Sequence, residues 1–230
     1  MFPGGSACFV AGTLVHTNEG LVAIEKLRVS DRVLSQPNEM GDLAYKRVLR
    51  TFSFEEKQVC LVEYARVADV RHNGTGKPWE HLVATIDHPF FVKDVGWTSA
   101  DELDPGSEYK LILRDGSLAQ CMYRELRNTE VQNVALAMNQ HYFGEVGTAV
   151  DLRGNSSEII ARDTQNGYAQ DLKGWFCEQR VYNLEVEDFH TYYVGEMGVW
   201  VHDTDCPSDR PPTWRKLSPR QRRTRPPPVC

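Results

Sequence analysis

The sequence predicts an all-β fold, and three observations carry the prediction. From Thr13 to Leu113 the chain is a series of short β-like runs parted by turns of Gly, Asn and Pro. The two longest runs, Lys46 to Phe54 and Val59 to Val67, are rich in Val, Leu, Tyr and Phe, which suit a pleated, half-buried surface. Beyond a stretch of different character at about 116–178, such runs resume at Val181 and stop at His202.

In order, Thr13 to Thr17 alternates weakly, Asn18-Glu19-Gly20 turns the chain, and Leu21 to Leu27 follows. Asp31 to Ser35 is a further short run, ended by Gln36-Pro37-Asn38. After the two long runs, Asn73-Gly74 and Gly76 mark a loop, and strands resume over His81 to Ile86 and Phe90 to Lys93. Trp97 to Leu103 reads as a short helix beginning near Ser99. Between Gly116 and Phe176 the alternation weakens and helix formers collect in MYRELRNTEVQNVALAMNQHYF, followed by a Gly-rich and Asn-rich stretch. We read this region as an insertion of mixed structure set between the strands of one β domain.

At 230 residues the chain is long enough for one sizeable domain with a real core, or two small ones. Its 41% hydrophobic and 25% charged composition is that of a globular protein, and no apolar run reaches the length of a membrane span. No basic-then-apolar leader follows Met1, so the chain shows no address of its own and its compartment stays unassigned. The net charge of −6 is unevenly spread. From Pro207 to Cys230, seven Lys or Arg stand against Asp209 alone, about +6, which leaves about −12 for the body. That segment also holds seven of the twelve prolines, so it is expected to be disordered and to act as a solvated linker rather than a nucleic-acid-binding arm. The six cysteines (Cys8, Cys60, Cys121, Cys177, Cys206, Cys230) form no CxxC pair, which suggests neither a zinc site nor a disulfide framework.

Only Cys8 sits where its thiol has an obvious target. It lies one bond from the Ala7 carbonyl and can attack it through a five-membered ring, turning an amide into a thioester. Such a shift is uphill unless the amide is distorted and its nitrogen protonated, which a general acid and oxyanion donors would supply. Thr85-Ile86-Asp87-His88 offers a Thr and a His separated by two residues at a strand end. At the far end, the side chain of Asp203 can close on its own carbonyl and break the bond to Thr204, with His202 and His190 to position or protonate groups there. Taken singly, Cys8 reads as a small residue before a strand, and each His as structural. Their order along the chain is what argues for chemistry.

Four segments in that order resemble the Hint superfamily of inteins, bacterial intein-like domains, pretoxin Hint domains and the autoprocessing domain of hedgehog proteins. CFVAGTLVHTNEGLVAIEKLRVSDRVLS is similar to the N-terminal splicing block, and TIDHPFFV to the second. VYNLEVEDFHTYYVGEMGVWVHDT is similar to the two C-terminal blocks. The resemblance implies a horseshoe of short strands over 8–203, an N-terminal flank at 1–7 and a C-terminal flank at 204–230. It implies Cys8 as first nucleophile, and Thr85 and His88 as drivers of the shift at Ala7. His190 and His202 would assist cleavage at Asp203-Thr204, with Thr204 as a hydroxyl acceptor. No LAGLIDADG motif occurs, which fits a mini-intein-like chain of the pretoxin type that releases a downstream effector. No cofactor and no metal are implied. The substrate would be the chain's own flanking polypeptides, and the domain would act as a monomer away from nucleic acid and membrane.

Two positions depart from the family pattern. Inteins usually carry Asn where this chain has Asp203, and Asp where it has Asn183. Aspartate can form only an anhydride, not a succinimide, and loss of a carboxylate at 183 weakens coupling between the two junctions. Slow or uncoupled cleavage is therefore expected. Two other classes compete: a cysteine peptidase acting in trans through Cys8 and His88, and an interaction domain that has lost activity.

Overall fold

A 23-residue strand, β5 (Ala44–Arg66), is the spine of the computed structural model, which describes residues 7–37, 41–70, 79–103, 109–138, 147–154, 156–164 and 176–203. Four shorter strands precede it: β1 (Phe9–Val10), β2 (Leu14–Thr17), β3 (Gly20–Ala23) and β4 (Arg32–Ser35). A one-turn helix, α1 (Val67–Val70), ends the spine. Then come β6 (Glu80–Thr85), β7 (Pro89–Val92), β8 (Gly96–Ser99), β9 (Lys110–Ile112) and β10 (Leu118–Asn128). The remaining strands are β11 (Val134–Met138), β12 (Gly147–Asp151), β13 (Glu158–Thr164), β14 (Glu178–Val186), β15 (Thr191–Val194) and β16 (Val199–His202). The fold is all-β, as the sequence predicts, and every ladder is antiparallel.

β5 changes partners along its length, and its sequence changes with them. Residues 44–47 pair with β4, and the next stretch pairs with β14, where polar and apolar positions alternate because one face meets solvent. Glu56, at φ 49°, sits where the β14 register shifts, a bulge that bends the spine. Beyond it, Val59 to Ala65 are all buried, since β6 lies on one edge and β10 on the other.

The 116–178 region corrects one expectation. Among its described residues it is built of strands, not of mixed structure: β10, β11, β12 and β13. The helix formers of 122–127 lie in β10, where Cys121 faces Tyr64 and Tyr123 faces Val62 on β5. A long ladder with a buried partner overrides weak helix propensity. The short helix expected near Ser99 is present as a single 3₁₀ turn at Ala100–Glu102, while Gly96–Ser99 before it form a strand, β8.

Two apolar clusters enclose the ends of the chain's β domain. Phe9, Val15, Tyr64, Phe90, Tyr192 and Val201 pack in the first. In the second, Leu126, Ala135, Ala137 and Val150 of the insertion pack with Cys8, Val10, Leu61, Val83 and Val181. The insertion thus packs over β1 and the buried Cys8 that precedes it. Among the described residues no helix is long and apolar enough to cross a membrane.

Candidate functional site

β1 is only two residues long, yet it is clamped on both edges. Phe9 pairs with Tyr182 of β14 and with Ala84 of β6. Extending the first register by one residue sets Cys8 opposite Asn183. On the other edge the ladder brings Thr85 to Cys8: the Cys8 amide donates to Thr85 Oγ1 at 3.0 Å, and the Thr85 amide donates back to the Cys8 carbonyl at 2.9 Å. Ala7 and Cys8 are buried, with relative exposures of 1% and 0%, so the Ala7–Cys8 peptide bond lies inside the protein.

His88 follows in the turn between β6 and β7, and the chain holds it by its backbone. Its amide donates to the Thr85 carbonyl at 3.0 Å, and its carbonyl accepts from the Ala100 amide at 2.9 Å. The imidazole is fully buried, and neither ring nitrogen has a hydrogen-bond partner among the described residues. Phe9 and Phe90 wall it at ring-centroid distances of 4.0 and 5.5 Å. Burial pushes its pKa well below 6.5, and a charge on nearby His202 pushes the same way. An imidazole kept neutral and unpaired in an apolar pocket is poised to exchange a proton with an arriving partner.

The C-terminal half converges on the same interior. β15 and β16 form a hairpin in which Thr191 faces His202, so the chain leaves the sheet at Asp203. His190, just before β15, has φ 55°, unusual for a residue with a Cβ, and its carbonyl accepts the Asp203 amide at 2.9 Å. The Asp203 carboxyl group is buried and held through Oδ2. Oδ2 accepts from the Val186 amide at 2.8 Å and lies 3.2 Å from His190 Nδ1. Oδ1 lies 3.6 Å from His202 Nδ1. The Val186 amide is available because the β14 ladder on β5 shifts register between Glu185 and Val186. The His202 ring meets Trp97 edge-on at 5.1 Å and lies nearly parallel to His190 at 6.5 Å.

Asn183 spans the gap between the junctions. Its Nδ2 donates to the main-chain carbonyl of Asp203 at 2.6 Å. Its Oδ1 accepts from the Leu184 amide at 2.8 Å and from the Tyr192 hydroxyl at 2.9 Å.

Of the sequence-predicted residues, the fold therefore brings Ala7, Cys8, Thr85, His88, Asn183, His190, His202 and Asp203 into one region. Thr204 lies outside the described residues. Sequence reasoning missed Tyr192 and the Val186 amide. Tyr192 occupies a buried alternate position of TYYV with no sign of a polar partner, and a main-chain donor leaves no trace in residue identity. Among the described residues no group of three or more His, Cys, Asp or Glu could hold a metal ion.

A family model of the pretoxin Hint domain matches residues 14–151. Among solved structures, the chain is similar to the solution structure of a bacterial intein-like domain from Clostridium thermocellum. That match has 29% identity and a TM-score of 0.50, covering 85% of this chain and 97% of that one. It is also similar to a DnaB intein from Synechocystis sp. PCC 6803, at 15% identity and a TM-score of 0.47, over 86% of this chain and 98% of that one. No curated protein sequence matches it.

Proposed function

The chain belongs to the pretoxin Hint domain family, and from that membership we propose that it is a single-turnover domain that processes its own flanking polypeptides. At the N-terminal junction Cys8 Sγ attacks the Ala7 carbonyl carbon. The Ala7–Cys8 amide bond breaks, Ala7 is left as a thioester on Cys8, and the released nitrogen takes a proton. The observation that carries this reading is the hydrogen bond from the buried Cys8 amide to Thr85 Oγ1, with the buried imidazole of His88 packed against the next residue, Phe9. Thr85 fixes the plane of the amide, and His88, neutral at rest, takes the proton that the Cys8 thiol gives up and passes it to the leaving nitrogen. General acid assistance of this kind is worth about 10²–10⁴ in rate. Complete burial of Cys8 fits a substrate delivered by the chain itself rather than one arriving through an open cleft.

At the C-terminal junction the Asp203 carboxylate attacks its own carbonyl, and the bond to Thr204 breaks. Two features make this half slow. Asp203 can give only an anhydride, which readily re-acylates the departing amine. Its side chain is also pinned by the Val186 amide and the His190 ring, contacts it must give up to turn on its own carbonyl. Cleavage at the two junctions is accordingly uncoupled, and the domain, acting as a monomer, frees the polypeptide that follows it.

The test is a precursor carrying a reporter protein at each end, weighed by mass spectrometry with and without an added thiol. The reading predicts thiol-induced release at Ala7 that vanishes in Cys8→Ala. A precursor that stays intact under every condition contradicts it.

A further inference from the structure

Resting on that reading of the C-terminal junction, we infer that Asn183 is a catalytic residue there: its side-chain amide is the oxyanion donor for scission after Asp203. The position departs from the acid that the family pattern puts there, and on residue type alone that departure is a loss. The contacts give it a different use.

The carbonyl that Asn183 touches is the one attacked when the 203–204 bond breaks. As an Asp203 carboxylate oxygen closes on that carbon, negative charge collects on the carbonyl oxygen. The bond to the following nitrogen then breaks, that nitrogen leaves with a proton passed through His202, and the water that opens the cyclic anhydride restores Asp203 and returns that proton. Asn183 Nδ2 already sits 2.6 Å from the oxygen where the charge develops. A fixed donor in a dry site stabilises such charge without reorganising. Asn183 itself is 1% exposed.

The orientation of the amide is fixed by its neighbours. The Leu184 main-chain N–H can only donate, so the atom 2.8 Å from it must be the oxygen. The Tyr192 hydroxyl donates to the same oxygen. The nitrogen is thereby left facing the Asp203 carbonyl.

A carboxylate at 183 would reverse the interaction. One of its oxygens would keep Leu184 and Tyr192, and the other would face the carbonyl oxygen as a second acceptor. It would also set a second buried negative charge beside the carboxylate of Asp203, which is itself 1% exposed. An amide at 183 and an acid at 203 are therefore matched: each departure from the splicing pattern suits the other.

The experiment uses the full chain with a reporter at each end, in the natural sequence and with Asp203→Asn. The readout is the ratio of product cut after residue 203 to product released at Ala7 by thiol. In the natural sequence, with Asp at 203, Asn183→Asp is expected to lower that ratio by about 10²–10³, the effect of removing one oxyanion donor. Tyr192→Phe, which keeps the ring but removes one donor from Oδ1, lowers it severalfold and carries the test where Asn183→Asp does not fold. A ratio that stays level or rises in both variants overturns the donor role while leaving the processing reading intact. Absence of any scission after residue 203, in both backgrounds, overturns the processing reading of that junction and the donor role with it.

Discussion

His88→Leu separates chemistry from architecture at one position. The imidazole is buried with both nitrogens unpaired, and an unpaired buried polar atom costs about 1–3 kcal/mol. Leucine is close to it in volume, carries no polar atom, and still packs against Phe9 and Phe90. Allowing for the change of shape, a net gain of about 1 kcal/mol is expected, which raises Tm by about 2–4 °C in a chain of this size. In the same variant, thiol-induced release at Ala7 falls by about 10²–10⁴, or about 3–5 kcal/mol of barrier.

The pH dependence has a definite sign. Burial holds the folded pKa of His88 well below 6.5, so below that pH the unfolded chain binds a proton that the folded chain does not. The natural protein thus loses stability from this group as pH falls through 6.5 toward the depressed folded value. Leucine has no proton to bind, so the Tm advantage of His88→Leu widens between about pH 8 and about pH 5. Scanning calorimetry at the two pH values, paired with intact-mass kinetics of release, measures both effects. A Tm that drops sharply at both values while release continues at the natural rate would make His88 a packing residue and end its role as an acid.

Three further outcomes are expected. Thr85→Val leaves the Cys8 amide buried without its acceptor, costing about 1–3 kcal/mol in chemical denaturation and slowing release at Ala7, and Thr85→Ser restores both. Gly195→Ala drives a Cβ into the Tyr64 hydroxyl at φ +74°, and destabilises by about 2–6 kcal/mol in the same assay. Asp203→Asn supplies an amide that can cyclise to a succinimide, and raises scission after residue 203 about tenfold or more, ~1.4 kcal/mol, by gel densitometry of the two products.

The strands and the N-terminal site are legible in the sequence because their signals are local. Val, Leu, Tyr and Phe in short runs announce strands wherever they fall, and Cys8, Thr85 and His88 stand out by type and order. The insertion reads as mixed because the residues of 122–127 favour helices, and the partner that overrules them, Cys60 to Tyr64 on β5, is far away in the chain. The C-terminal half is legible as a set of side chains but not as contacts. Asn183 acts on a main-chain oxygen of a residue twenty positions on, and Val186 acts through a main-chain N–H that a register shift releases. Neither relation depends on side-chain type alone, so the amide at 183 reads as a missing acid until its partners are in place.

The chemistry proposed at the N-terminal junction turns on the Ala7–Cys8 peptide becoming a thioester. Treating a precursor that bears an N-terminal reporter with free cysteine probes that step, because the trapped fragment records where and how the bond broke. The expected product is a reporter fragment ending at Ala7 and heavier by one cysteine residue, absent from Cys8→Ala and strongly reduced in His88→Leu. A fragment ending at Ala7 as a free acid, formed equally without Cys8, would rule the thioester out.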